Sequence, residues 1–166
     1  MATTYEAIAT VTVGSGGAAT IDFTSIPQTY TDLQILASAR STNATLTRFY
    51  FSLNGSTSGF SNRYLQGDGT TVGSGSIARF LGQLAGANYT SNTFSSTSLY
   101  IPNYTSSNDK SISAENVVEN NATIAYDDLT AHLFTSSSAI TSIQLNPDAG
   151  NFAQYSTATL YGIKNS

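Results

Sequence analysis

Apolar and polar residues alternate one for one along most of this chain, in short runs broken by Gly, Pro, Asn and Asp. A period of two marks strands that turn one face to a core and the other to water. Tyr5–Val13 sets Tyr5, Ala7, Ala9, Val11 and Val13 on one face, and Gly14-Ser-Gly-Gly17 turns the chain into a second strand, Ala18–Phe23. Ser25–Asp32 is a connection in which Pro27 sets its own φ and extends Ile26. Leu33–Ser41 aligns Leu33, Ile35, Ala37 and Ala39. Leu46–Leu53 points Phe49, Phe51 and Leu53 inward and Arg48, Tyr50 and Ser52 outward, and Asn54-Gly55 ends it as a tight turn.

Phe60–Gln66 and Thr70–Val72 read as a hairpin around Gly67-Asp-Gly69. Ile77–Leu84 has helical spacing at Ile77, Phe80, Leu81 and Leu84, with Ser76 as a cap. Gly75, Gly82 and Gly86 oppose a helix there, and we read it as a strand. Ser96–Ile101 is a strand stopped by Pro102. Ser111–Val118 and Ile124–Phe134 follow, joined by a turn at Asn120-Asn121, with Asp127-Asp128 a point where the second could break. Ala139–Leu145 and Asn151–Ile163 flank a Pro/Asp/Gly turn. In the last strand Thr157, Thr159, Tyr161 and Ile163 oppose Ala158, Leu160 and Gly162, and it is expected to close the core. The spacing predicts an all-β fold in one domain over residues 1–166, an antiparallel β-sandwich. A jelly roll is the first choice within it, ahead of an immunoglobulin-like sandwich.

Composition agrees and narrows the function. Charged residues make up 10% of the 166, well below the ~25% of an average domain, and Ser, Thr and Asn replace them. The net charge is −4, and the six cations (Arg40, Arg48, Arg63, Arg79, Lys110, Lys164) form no run, which argues against nucleic acid. Without cysteine there is no disulfide or thiolate metal site. No basic and apolar leader opens the sequence, and no apolar run approaches a membrane span, so synthesis in a cytoplasm is expected.

Candidate chemistry is thin. The single histidine, His132, shares a face with Thr130 and Phe134, and no Gly-x-Ser-x-Gly elbow accompanies it. Asp127-Asp128 and Glu115 with Glu119 do not fit a calcium loop and read as solvated strand-end carboxylates. The glycine clusters lack the Lys-Ser/Thr of a phosphate loop. Asn-x-Ser/Thr triplets at Asn43, Asn54, Asn88, Asn103 and Asn121 are what this composition produces by chance. We expect no enzyme, no cofactor and no metal. Loop rings near amides and carboxylates (Phe60, Tyr64, Tyr89 and Tyr104 beside Asn62, Asn88, Asn103 and Asp68) could stack on sugars or touch a partner, as could Tyr50. Phe49-Tyr50-Phe51 and Leu99-Tyr100-Ile101 place large apolar area on both faces of a strand, which suggests subunit contacts in a cyclic oligomer.

Longer stretches resemble a family of small tailed-phage virion proteins: Tyr5–Thr10, Ile21–Leu33, Phe51–Ser56, Ile101–Tyr104, Ala139–Ile143 and Ser156–Ile163. The resemblance spans Tyr5–Ile163. It implies a jelly-roll-like fold, a virion location, a homotrimeric or capsid-bound state and no catalytic residues. The expected function is capsid decoration: a cement protein bound to the major capsid protein or other virion proteins. The alternative is a tail-fibre or receptor-binding module for host surface glycans. Fibre tips usually carry an N-terminal shaft or anchor, whereas a strand is expected here from Tyr5, so the head is the expected location.

Overall fold

In the computed structural model, which describes residues 4–119 and 125–164, every element is a strand. They are β1 (Tyr5–Thr12), β2 (Ile21–Phe23), β3 (Asp32–Ala39), β4 (Thr47–Leu53), β5 (Phe60–Gly67) and β6 (Val72–Gly75). Then come β7 (Phe80–Leu84), β8 (Ser95–Ile101), β9 (Lys110–Val118), β10 (Tyr126–Phe134), β11 (Ile143–Pro147) and β12 (Thr157–Ile163). An eight-stranded sheet runs β1-β12-β3-β8-β9-β10-β5-β6, and a four-stranded sheet runs β2-β11-β4-β7. Every strand pairing is antiparallel. The antiparallel sandwich expected from the sequence is what forms. Its twelve strands, split eight and four, exceed the eight of a simple jelly roll.

The core lies between the sheets. Leu33, Ile35, Leu99, Ile101, Ile112 and Leu160 of the large sheet meet Phe49, Phe51, Leu53, Leu81, Leu84 and Leu145 of the small one. Alternation explains most of this: β3, β8, β9 and β12 each bury every second residue. Between Ile77 and Leu84 the strand character holds only from Phe80. Ile77 begins a turn, with the Phe80 amide donating to its carbonyl at 3.2 Å. At Asn54 and Gly55, φ values of 52° and 71° make the tight turn that this dipeptide favours.

Four expectations need correction. In β1 a bulge between Ala7 and Ala9 resets the alternation, so Ile8 and Val11 pack on the core while Ala7 and Ala9 are exposed. The strand expected from Asn151 begins at Thr157, and the Asn146–Gly150 turn ahead of it carries the chain from β11 in the small sheet to β12 in the large. The strand begun at Ala139 starts instead at Ile143, with Ile140 buried ahead of it. Ser52 is buried rather than outward. The Asn120-Asn121 turn and Ile124 lie outside the described residues, and β10 runs unbroken through Asp127-Asp128.

Candidate interaction surface

β10 is built inside out. Its inward side carries Asp128, Thr130, His132 and Phe134, all buried, and its outward side carries Leu129, Ala131 and Leu133, all exposed. A strand covered on one side by a core ordinarily does the reverse. The register shows how far the outward surface extends. Across the large sheet Leu65, Leu129, Glu115, Ser98, Leu36, Thr159 and Thr10 are successive neighbours on β5, β10, β9, β8, β3, β12 and β1. The next outward row is Arg63, Ala131, Ser113, Tyr100, Gln34, Tyr161 and Ala7. None of these side chains is buried, and Arg63 and Glu115 are the charged ones in the two rows.

This open face is apolar at one end. Leu65 and Leu129 are direct cross-strand partners, 55% and 52% exposed, and Leu133 lies further along β10. With Arg63, Ser74, Ser113 and Ala131 the two leucines line a concavity of about 760 Å³. Toward β3 and β12 the surface turns to Thr, Ser and Tyr. There Tyr100 donates to Asp32 Oδ2 at 2.7 Å, and this bond, reinforced by burial, pushes the phenol up to about 12.

The inward polar residues of β10 find their partners within the fold, one oxygen of Asp128 excepted. Asn62 Nδ2 donates to His132 Nδ1 at 3.1 Å, so Nε2–H donates to Thr130 Oγ1 at 3.0 Å, and Asn62 Oδ1 accepts the Ile77 amide at 3.1 Å. Burial pushes His132 down to about 4, so the ring is neutral, and it sits edge-on to Phe51. Next along, Asn116 donates to Thr97 Oγ1 at 2.7 Å and accepts the Gln83 amide at 3.0 Å. Asp128 accepts from Gln66 Nε2 at 2.6 Å through Oδ1, and its Oδ2 is buried without a partner. Burial pushes this carboxyl up to about 6. The reading of Asp128 as a solvated strand-end carboxylate is therefore corrected, while Asp127, Glu115 and Glu119 are exposed.

Two buried cations hold loops rather than anions. Lys110 Nζ sits among the carbonyls of Ser106, Asn108, Ser136 and Ser138 at 2.6–3.1 Å. Arg40 donates to carbonyls of the 86–93 loop. No group of three or more His, Asp or Glu side chains suited to a metal occurs among the described residues.

The residues nominated as sugar or partner contacts do not come together. Tyr104 is fully buried, its hydroxyl donating to the Pro27 carbonyl, and Asn62 is buried against His132. Tyr64 packs on Phe80 with ring centroids 5.3 Å apart, and Phe60 stacks on Phe134. Asp68 is tied to its own hairpin loop. Its carboxylate accepts the Thr70 and Thr71 amides and hydroxyls, which hold its pKa well below the ordinary carboxylate range. Tyr50 lies under the Arg79 guanidinium on the small sheet, and Tyr89 is in the loop gripped by Arg40. Tyr104 and Asn62, being buried, are not available as surface contacts. What pattern reading missed is Leu65, Leu129 and Leu133. The signal was present, since Asp128-Leu129-Thr130-Ala131-His132-Leu133 alternates as cleanly as any strand. Local pattern would turn those leucines to the core, and only the distant partners of the opposite face keep them outside. No family model matches the chain, and no curated protein matches it.

Proposed function

We propose that this chain is a non-enzymatic structural protein of a bacteriophage virion, a jelly-roll-like decoration protein that binds the assembled head and stabilises it. The inside-out strand β10 carries the reading: it exposes Leu129 and Leu133 while Asp128, Thr130 and His132 are packed inside. Exposed apolar area within a nearly uncharged sheet face is suited to burial against another protein surface. The side chains that could do chemistry support the same view, because His132 is neutral and fully hydrogen-bonded and Asp68 is bound by its own turn. Binding to the assembled lattice and not to free subunits stabilises that lattice by mass action, and many symmetric copies let modest contacts hold. The trimer implied by the resemblance is part of the proposal.

The test is co-sedimentation of the purified protein with undecorated heads, paired with imaging of virions labelled at Ser166. Binding to heads, with label spread over them and loss of binding in Leu129→Lys/Leu133→Lys, supports the reading. Label confined to the tail, or undiminished binding by the double variant, refutes it.

A further inference from the structure

Tyr155 and Asn92 both hold left-handed backbone, with φ of 70° and 62°. Side chains other than glycine avoid this region, and a tyrosine there is less usual than an asparagine. The two lie far apart in the chain yet line one depression of about 380 Å³, where β3 leaves the large sheet and β8 and β12 enter it. Tyr155 is 65% exposed and is not part of the core, while its amide donates to the Val13 carbonyl at 2.9 Å. Phe94, half-buried, lines the same depression, and Thr42, Ser91 and Gln154 supply hydroxyls and an amide around it. Strain retained at an exposed ring that lines a pocket is the pattern of a site held ready for a ligand.

The wall is rigid and carries no usable charge. Arg40 Nη1 donates to the Thr90 and Thr93 carbonyls at 2.8 and 2.9 Å, and Nη2 donates to those of Gly86 and Tyr89 at 2.7 and 3.0 Å. All four terminal N–H groups are thereby occupied, so the guanidinium fixes the 86–93 loop and keeps none of them for an anion. No carboxylate or lysine lines the depression. We propose that it binds a neutral saccharide. Ring faces accept the C–H face of a pyranose, and neutral amides and hydroxyls pair with its hydroxyls. The site goes beyond virion adhesion and lies away from the apolar end of β5 and β10, so a decorated particle would present many copies at once.

The test is calorimetric titration of the full-length protein with neutral gluco-, manno- and galacto-configured tetrasaccharides, with sialylated and uronate oligosaccharides as a second arm. Binding of at least one neutral sugar is expected. It should weaken about tenfold or more in Tyr155→Ala and in Phe94→Ala and survive in Tyr155→Phe. Tyr155→Gly should abolish binding while raising the urea midpoint, because glycine relieves the left-handed strain. No heat with any neutral sugar at concentrations of about 10 mM, binding confined to the acidic arm, or binding indifferent to Tyr155→Ala in a folded variant overturns the proposal. The head-binding assay is unaffected by these variants, so the two readings fail separately.

Discussion

Replacing Asp128 by Asn should stabilise the folded protein at neutral pH and leave it unchanged near pH 4. The carboxyl is fully buried between β10, β5 and β9, with one hydrogen bond to Gln66 and an unpartnered second oxygen. Burial raises it to about 6, from 3.8 for an unperturbed carboxyl. Because the folded pKa is the higher one, the stability this group confers is fully present below pH 3.8 and is lost as pH rises through 6. A shift of about two units corresponds to roughly 3 kcal/mol between the limits. Asn is the isostere of the protonated form, so Asp128→Asn should exceed the parent by about 2–3 kcal/mol at pH 8. His132 works the other way. Its pKa is lowered by burial to about 4, so stability present above pH 6.5 is lost as pH falls through 4. In the parent the two contributions nearly cancel between pH 6.5 and 4; in the variant only the histidine loss remains, and stability should fall on acidification. Urea unfolding followed by circular dichroism at pH 4.5, 6 and 8 reads all of this. A variant less stable than the parent at pH 8, or a difference independent of pH, would refute the reasoning.

Other perturbations follow from the same packing. Lys110→Met leaves four carbonyls without their buried donor and should cost about 3–5 kcal/mol, read as a lower urea midpoint. Gly82→Ala sets a methyl into the Asn116 side chain at a φ of 149°. Tight packing of β7 over β9 leaves it nowhere to go, so a loss of about 3 kcal/mol or more is expected in the same assay. Leu129→Lys/Leu133→Lys should change folding stability by less than about 1 kcal/mol, because both side chains are exposed, while removing head binding. Tyr104→Phe removes the hydroxyl that donates to Pro27 and should cost about 1 kcal/mol in thermal or urea unfolding.

Strand positions were legible because they depend on neighbours in the chain. Leu33–Ala39, Phe49–Leu53, Ser96–Ile101 and Thr157–Ile163 alternate between long apolar and small or polar residues, and the backbone has few other ways to segregate them. Turn chemistry was equally local, as at Asn54-Gly55 and Gly67-Asp-Gly69. The bulge in β1 was not legible. Its cause is the pairing partner, where Ala7 meets Tyr161 and Ala9 meets Leu160, and nothing in residues 5–13 records that skip.

The sidedness of β10 is where pattern and fold part. Alternation divides its residues into Leu129, Ala131 and Leu133 against Asp128, Thr130, His132 and Phe134, and taken alone it favours burying the leucines. What turns the strand over is a set of distant partners: Asn62 for His132, Gln66 for Asp128, and Phe60 for Phe134. Hydrogen bonds across strands satisfy polar groups that local sequence would send to water, and the leucines are left outside as a consequence. The same limit explains the scattering of the nominated aromatic set. A ring's chemistry is written in its residue type, but its company is set by which strands the topology makes adjacent. Local pattern thus specifies a sparsely charged, all-strand chain, and long-range pairing specifies which of its faces meets the world.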